Sequence, residues 1–97
     1  MDAVVMIGNS DDKLSQKKWA RFCMGLRIQM SQIGKIHGQW FSLPSSQWQN
    51  MALCVEFPDE MLPEVEQILA DLAHVYDQDS IALLNGITRF IGPKEMS

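Results

Sequence analysis

The spacing of apolar residues changes several times along the chain, and each change marks an element boundary. Ala3-Val4-Val5-Met6-Ile7 is an unbroken apolar run closed by Gly8-Asn9-Ser10, the pattern of a central strand covered on both faces. Trp19, Phe22, Cys23, Leu26, Met30 and Ile33 then recur at helical steps, which puts them on one stripe of an amphipathic helix. Lys17, Lys18, Arg21, Gln29 and Gln32 fall off that stripe. Ser10, Asp11 and Asp12 precede the helix as N-caps and first-turn charges, and Gly34 stands where it should stop.

From Lys35 to Leu43 the period falls to two. After Pro44-Ser45-Ser46 a second alternating run extends from about Trp48 to Phe57. In it Met51, Leu53, Val55 and Phe57 share one face, while Ala52, Cys54 and Glu56 share the other. The pair reads as an antiparallel hairpin with a polar tip from Pro44 to Gln47. Pro58-Asp59-Glu60 opens the next element, with Pro63 in its first turn, and Val65, Ile68, Leu69, Leu72 and Tyr76 make a second helical stripe. Asp77-Gln78-Asp79 breaks it. Ser80 to Leu84 reads as a strand, Asn85-Gly86 as a type I′ turn, and Ile87 to Ile91 as the returning arm. Gly92-Pro93 and the polar end Lys94–Ser97 read as a frayed terminus.

The order β-α-β-β-α-β, with right-handed crossovers, predicts an α+β ferredoxin-like sandwich. One antiparallel sheet would carry both helices on one face, with a short extra C-terminal hairpin arm. A length of 97 residues supplies one core, so residues 1–97 form one domain with an ordered part from about 3 to 91. The hydrophobic share of 46% and charged share of 21% are those of a folded chain.

Charge and cysteine content narrow the function. A net charge of −4 disfavours nucleic acid as the main partner, because neutralising phosphate supplies most of that affinity. Cys23 and Cys54 lie in separate apolar runs, away from any metal-ligand spacing, and read as free thiols in a reducing cytoplasm. No apolar run is long enough to span a membrane, and no cofactor motif is present.

Three surfaces are candidates for function. In the expected topology the end of the first strand, the hairpin tip and the lead-in to the last strand meet at one end of the sheet. Asn9, Ser46, Gln47, Trp48 and Gln78 would form a polar rim there, with Trp48 exposed as a contact residue and Trp40 packed. Asp11, Asp12, Asp77 and Asp79 share that rim and have the oxygen chemistry of a Mg²⁺ or Ca²⁺ site. They serve equally well as caps and turn residues. Met24 and Ile28, off the core stripe of the first helix, make a second apolar strip suited to a partner. His37 and His74 are the only histidines; His74 faces solvent, and His37 could meet Cys54 across the hairpin.

Two resemblances add to this. "AVVMIGNSDD" followed by a basic helix resembles the opening of the small CRISPR-associated adaptation subunits, ferredoxin-like dimers with an aspartate at the end of the first strand. The likeness covers the first third of the chain and implies a metal-dependent nuclease or hydrolase. The corresponding neighbourhood here is Ile7-Gly8-Asn9. Over most of the chain, "KKWARF", "GQW" and "YDQDSIAL" resemble small uncharacterised bacterial or phage proteins of the same element order, which implies the fold and no activity. The preferred reading is a non-enzymatic protein–protein interaction or accessory module, phage- or mobile-element-associated, with a protein partner or a homodimer as its assembly. A hydrolase using the four aspartates and a ligand-sensing regulatory domain are the alternatives.

Overall fold

In β1 (Asp2–Gly8) the side chains of Ala3, Val5 and Ile7 are buried, whereas Val4 is half-buried and Met6 exposed. This central strand is therefore covered on one face only, not on both as its unbroken apolar run suggests. The computed structural model describes residues 1–94. The remaining elements are α1 (Gln16–Ile33), β2 (Lys35–Phe41), β3 (Asn50–Glu56), α2 (Leu62–Val75) and β4 (Ala82–Gly86), with short 3₁₀ turns at Ser10–Asp12 and Asp59–Met61. The sheet order is β2-β3-β1-β4, and every neighbouring pair is antiparallel. That is the ferredoxin-like arrangement. Among the described residues no helix is long and apolar enough to cross a membrane.

Both helices press on the same side of the sheet. The α1 stripe of Trp19, Phe22, Cys23, Leu26 and Met30 and the α2 residues Val65 and Leu69 join Val5, Ile7, Met51, Leu53 and Val55 in one buried cluster. Phe22 is at its centre, stacked on Tyr76 with centroids 4.7 Å apart and edge-on to Trp19 at 6.2 Å. Burial of this kind, at about 25 cal/mol per Å² of apolar surface, is the main force holding the helices to the sheet.

The helix ends are set by particular side chains. Ser15, not Ser10, Asp11 or Asp12, is the N-cap of α1, and its hydroxyl accepts from the Lys18 amide at 3.2 Å. Ser10–Asp12 instead form a separate turn in which Asp11 and Asp12 have φ of 60° and 52°, a region that Asp enters more easily than most residues. Gly34 caps α1 in extended geometry. A Cβ there would lie 2.1 Å from the Glu56 carbonyl oxygen, so the chain can pass this close to β3 only with glycine. At the end of α2, Asp77 has φ of 54°. The Gln78 amide donates to the Ala73 carbonyl at 2.8 Å and the Asp77 amide to the His74 carbonyl at 3.2 Å. This is a Schellman motif with Asp in place of the usual glycine.

Asn85-Gly86 does not turn. Asn85 pairs with Ala3 and Gly86 with Asp2, so β4 runs on beside β1. Ile87 to Lys94 form no strand or helix, so the expected returning arm does not form. Of the tail read as frayed, Glu95–Ser97 lie outside the described residues.

Candidate functional site

The three turns converge at one end of the sheet: Asn9 joins the turn after β1 to the hairpin loop, and Lys13 joins it to Asp77. The Asn9 side chain is 1% exposed. The Leu14 amide donates to Asn9 Oδ1 at 2.8 Å, and Asn9 Nδ2 donates to the Leu14 carbonyl at 3.0 Å. The same nitrogen reaches Gln49 Oε1 at 3.3 Å and Asp12 Oδ1 at 3.5 Å, and the Asn9 amide donates to the Gln49 carbonyl at 2.8 Å. Asn9 therefore splices the β1 end to the hairpin loop, and it is buried where the sequence suggested a contact residue.

The other rim residues are scattered in role. Ser46 and Gln47 are exposed in the hairpin loop, and the Ser46 amide closes a turn on the Leu43 carbonyl at 2.9 Å. Gln78 is half-buried and donates to the Tyr76 carbonyl at 3.1 Å. Among the described residues, no three His, Cys, Asp or Glu side chains come together as a metal-holding group. Asp11, Asp12, Asp77 and Asp79 are exposed; Asp77 is paired with Lys13 at 3.3 Å and ends α2. Met24 and Ile28 are exposed on the outer side of α1.

The tryptophans exchange the places that the sequence suggests. Trp48 folds back and is half-buried, lining a cavity of about 250 Å³ with Trp19, Phe41 and Leu43. Trp40 is the exposed one. It pairs with Ala52 and so points to the sheet face away from the helices. The six-membered ring of its indole lies over Gly38, where a Cβ would come within 2.5 Å of it. Glycine at 38 lets the ring lie flat along the sheet.

That open face has a simple order. Trp40, Ala52, Met6 and Ala82 make one cross-strand row, and Gly38, Cys54, Val4 and Leu84 make the next. Neither row contains a charge. At one end they give way to Lys35, Glu56 and Asp2, at the other to Asn50 and Gly8. Among the described residues both helices lie on the other side, so no layer covers these two rows. Sequence alternation shows Ala52 and Cys54 facing away from the core; the register is needed to align Val4, Met6, Trp40 and Leu84 with them.

At the charged end the open face becomes a groove of about 820 Å³, bounded by His37, Cys54 and Glu56 on the sheet and by Ile87, Thr88 and Phe90 beyond β4. A bulge between Ile36 and Gly38 turns His37 outward, and its Nε2 lies 2.9 Å from Glu56 Oε1. The Thr88 hydroxyl donates to Asp2 Oδ2, which holds the Asp2 carboxyl below its ordinary range. Asp59 pairs with the Met1 amine at 3.0 Å. Burial pushes the Cys23 thiol up to about 11, leaving it an inert core group; Cys54, on the open face, is half-exposed.

No family model and no curated protein matches the chain. Among solved structures it is similar to a dimeric ferredoxin-like protein from an uncultured marine organism. That likeness has 13% identity and a TM-score of 0.43, covering 95% of this chain and 90% of the other. The ferredoxin-like assignment rests on the strand order and pairing of this chain.

Proposed function

We propose that the chain is a non-enzymatic protein–protein interaction module of the cytoplasm, and that its working surface is the open face of the sheet, which it uses to bind a second copy of itself. The observation that supports this is the pair of adjacent uncharged rows, from Trp40 to Ala82 and from Gly38 to Leu84, crossing all four strands without cover. Large contiguous apolar patches rimmed by polar groups mark association surfaces. A two-fold interface needs only one such patch, used twice. Trp40 is the natural anchor, since tryptophan is enriched among the residues that dominate binding energy.

Sedimentation velocity across the micromolar range tests this. The intact chain is expected to sediment as a dimer, and Trp40→Glu with Leu84→Glu as a folded monomer with unchanged far-ultraviolet circular dichroism. An intact chain that remains monomeric up to the highest concentration defeats the reading.

A further inference from the structure

We propose that the outer edge of β4 and the groove between it and α2 form a second binding surface. Its occupant is an extended basic and apolar segment of another protein, which adds a strand to the sheet. The surface does not depend on association through the open face. β4 is a terminal strand, so the amides and carbonyls on its outer side have no ladder partner among the described residues. Natural sheet edges are commonly blunted by lysine, proline or a bulge. β2, the other edge, has Lys35 and the bulge between Ile36 and Gly38. β4 has no charge and no proline, and its register with β1 is unbroken. Beyond Gly86 the chain turns to the open face, where Thr88 meets Asp2, and it makes no backbone hydrogen bond along the β4 edge.

Strand addition takes its affinity from main-chain hydrogen bonds and its specificity from pockets for alternate side chains. A groove of about 510 Å³ lies beside β4, lined by Leu69, Ala70 and Ala73 of α2 and by Ile81 and Leu83. Leu83 is opposite the buried Val5 and so faces the helix side. Glu66 and Asp79 also line the groove, both exposed, and neither makes an ion pair among the described residues. From Pro58 to Gly86 the chain has seven acids and no Lys or Arg. A second copy would therefore set acid against acid at this edge, whereas a basic segment is complementary to it. Length sets the pattern of that segment. Glu66 and His74 are eight helical residues apart, about 12 Å along the axis. Residues i, i+2 and i+4 of a strand span about 13 Å, so the groove matches one apolar side chain between two cationic ones.

The probe is a fluorescein-labelled peptide, Thr-Lys-Thr-Val-Thr-Lys-Thr, titrated against the full chain and read by fluorescence anisotropy. Binding is expected with a Kd below roughly 1 mM. Glu66→Lys with Asp79→Lys, both at exposed positions, should weaken it about tenfold. N-methylation of alternate peptide amides separates strand pairing from simple adhesion, because alternate amides of a strand point to opposite sides. One methylated peptide should lose binding and its complement should keep it. Trp40→Glu, on the opposite edge strand, should bind the peptide as the intact chain does, whether or not the open face associates. No binding up to about 1 mM, equal binding of the two methylated peptides, or indifference to the charge reversal overturns the proposal. Cross-links joining the β4 strands of two copies would give the edge to a second copy and overturn it as well.

Discussion

Replacing Asn9 with Ala tests the buried splice between β1, the turn after it and the hairpin loop. The substitution removes an acceptor from the Leu14 amide and a donor from the Leu14 carbonyl, and both bonds are buried. Gln49 loses little, because Gln16 already donates to its Oε1 at 2.9 Å and accepts from its Nε2 at 2.9 Å. A buried polar group left without a partner costs about 1–3 kcal/mol. With two such groups and partial relaxation, the loss should be about 2–4 kcal/mol, and the melting temperature should fall on the order of 15 °C. Urea unfolding followed by tryptophan fluorescence, with an unchanged slope, measures it. Asn9→Asp should lose a comparable amount, since it keeps the acceptor for the Leu14 amide but sets a carboxylate against the Leu14 carbonyl. Gln16→Ala, whose bonds are exposed, should change stability by less than about 0.5 kcal/mol. If Asn9→Ala unfolds at the same denaturant midpoint as the intact chain, the splice is not a stabilising element and the reasoning fails.

Other expectations follow from single contacts. Phe22→Ala, which empties the stacked and edge-on ring cluster, should cost about 3–5 kcal/mol in the same urea assay. Gly25 lies within α1, and a Cβ there would sit 3.8 Å from Leu72 and Tyr76; Gly25→Ala should therefore stabilise by about 0.5–1 kcal/mol, measured as a higher denaturant midpoint. In the folded Trp40→Glu/Leu84→Glu monomer, Ellman's reagent at pH 8 should label Cys54, half-exposed on the open face, and reach Cys23 only on unfolding; equal rates contradict the burial of Cys23. Asp2 is lowered by the Thr88 hydroxyl, so the tether between β1 and the segment after β4 should hold above the usual carboxylate range and be given up as the pH falls through the lowered value. Carboxyl carbon chemical shifts should show Asp2 titrating nearer its ordinary value in Thr88→Val, and no change between the two proteins rejects the tether.

Long periodic stretches were the legible part of this sequence. The stripes from Trp19 to Met30 and around Val65 and Leu69 are buried as their spacing requires, and the alternation from Met51 to Phe57 places the core face of β3. The Asn85-Gly86 signal failed because it is local. β1 offers ladder partners as far as Asp2, so both residues are paired rather than turned. Trp40 and Trp48 changed places for two reasons. Parity across from Ala52 sends Trp40 to a face that no layer covers, and the loop from Ser42 to Gln49 folds Trp48 back towards Trp19. The Ser15 cap was hidden behind a more acidic stretch, whose aspartates take left-handed backbone instead of capping. Asn9 gave no sequence signal of burial, since its partners are the backbone of Leu14 and a glutamine in the distant hairpin loop. The groove beside His37 depends on a one-residue bulge and on a segment that the turn signal had assigned elsewhere.

The position of β1 between β3 and β4 has a consequence for biosynthesis. A ribosome releases β1 ahead of both its neighbours, and its Ala3 must wait for Val55 and then for Asn85. Until β4 emerges, the nascent chain has the backbone of one of its two central strands open along one side. Chaperone demand should therefore fall sharply when the segment around Leu84 clears the exit tunnel, and a stalled chain ending before Ala82 should be a preferred substrate for quality control.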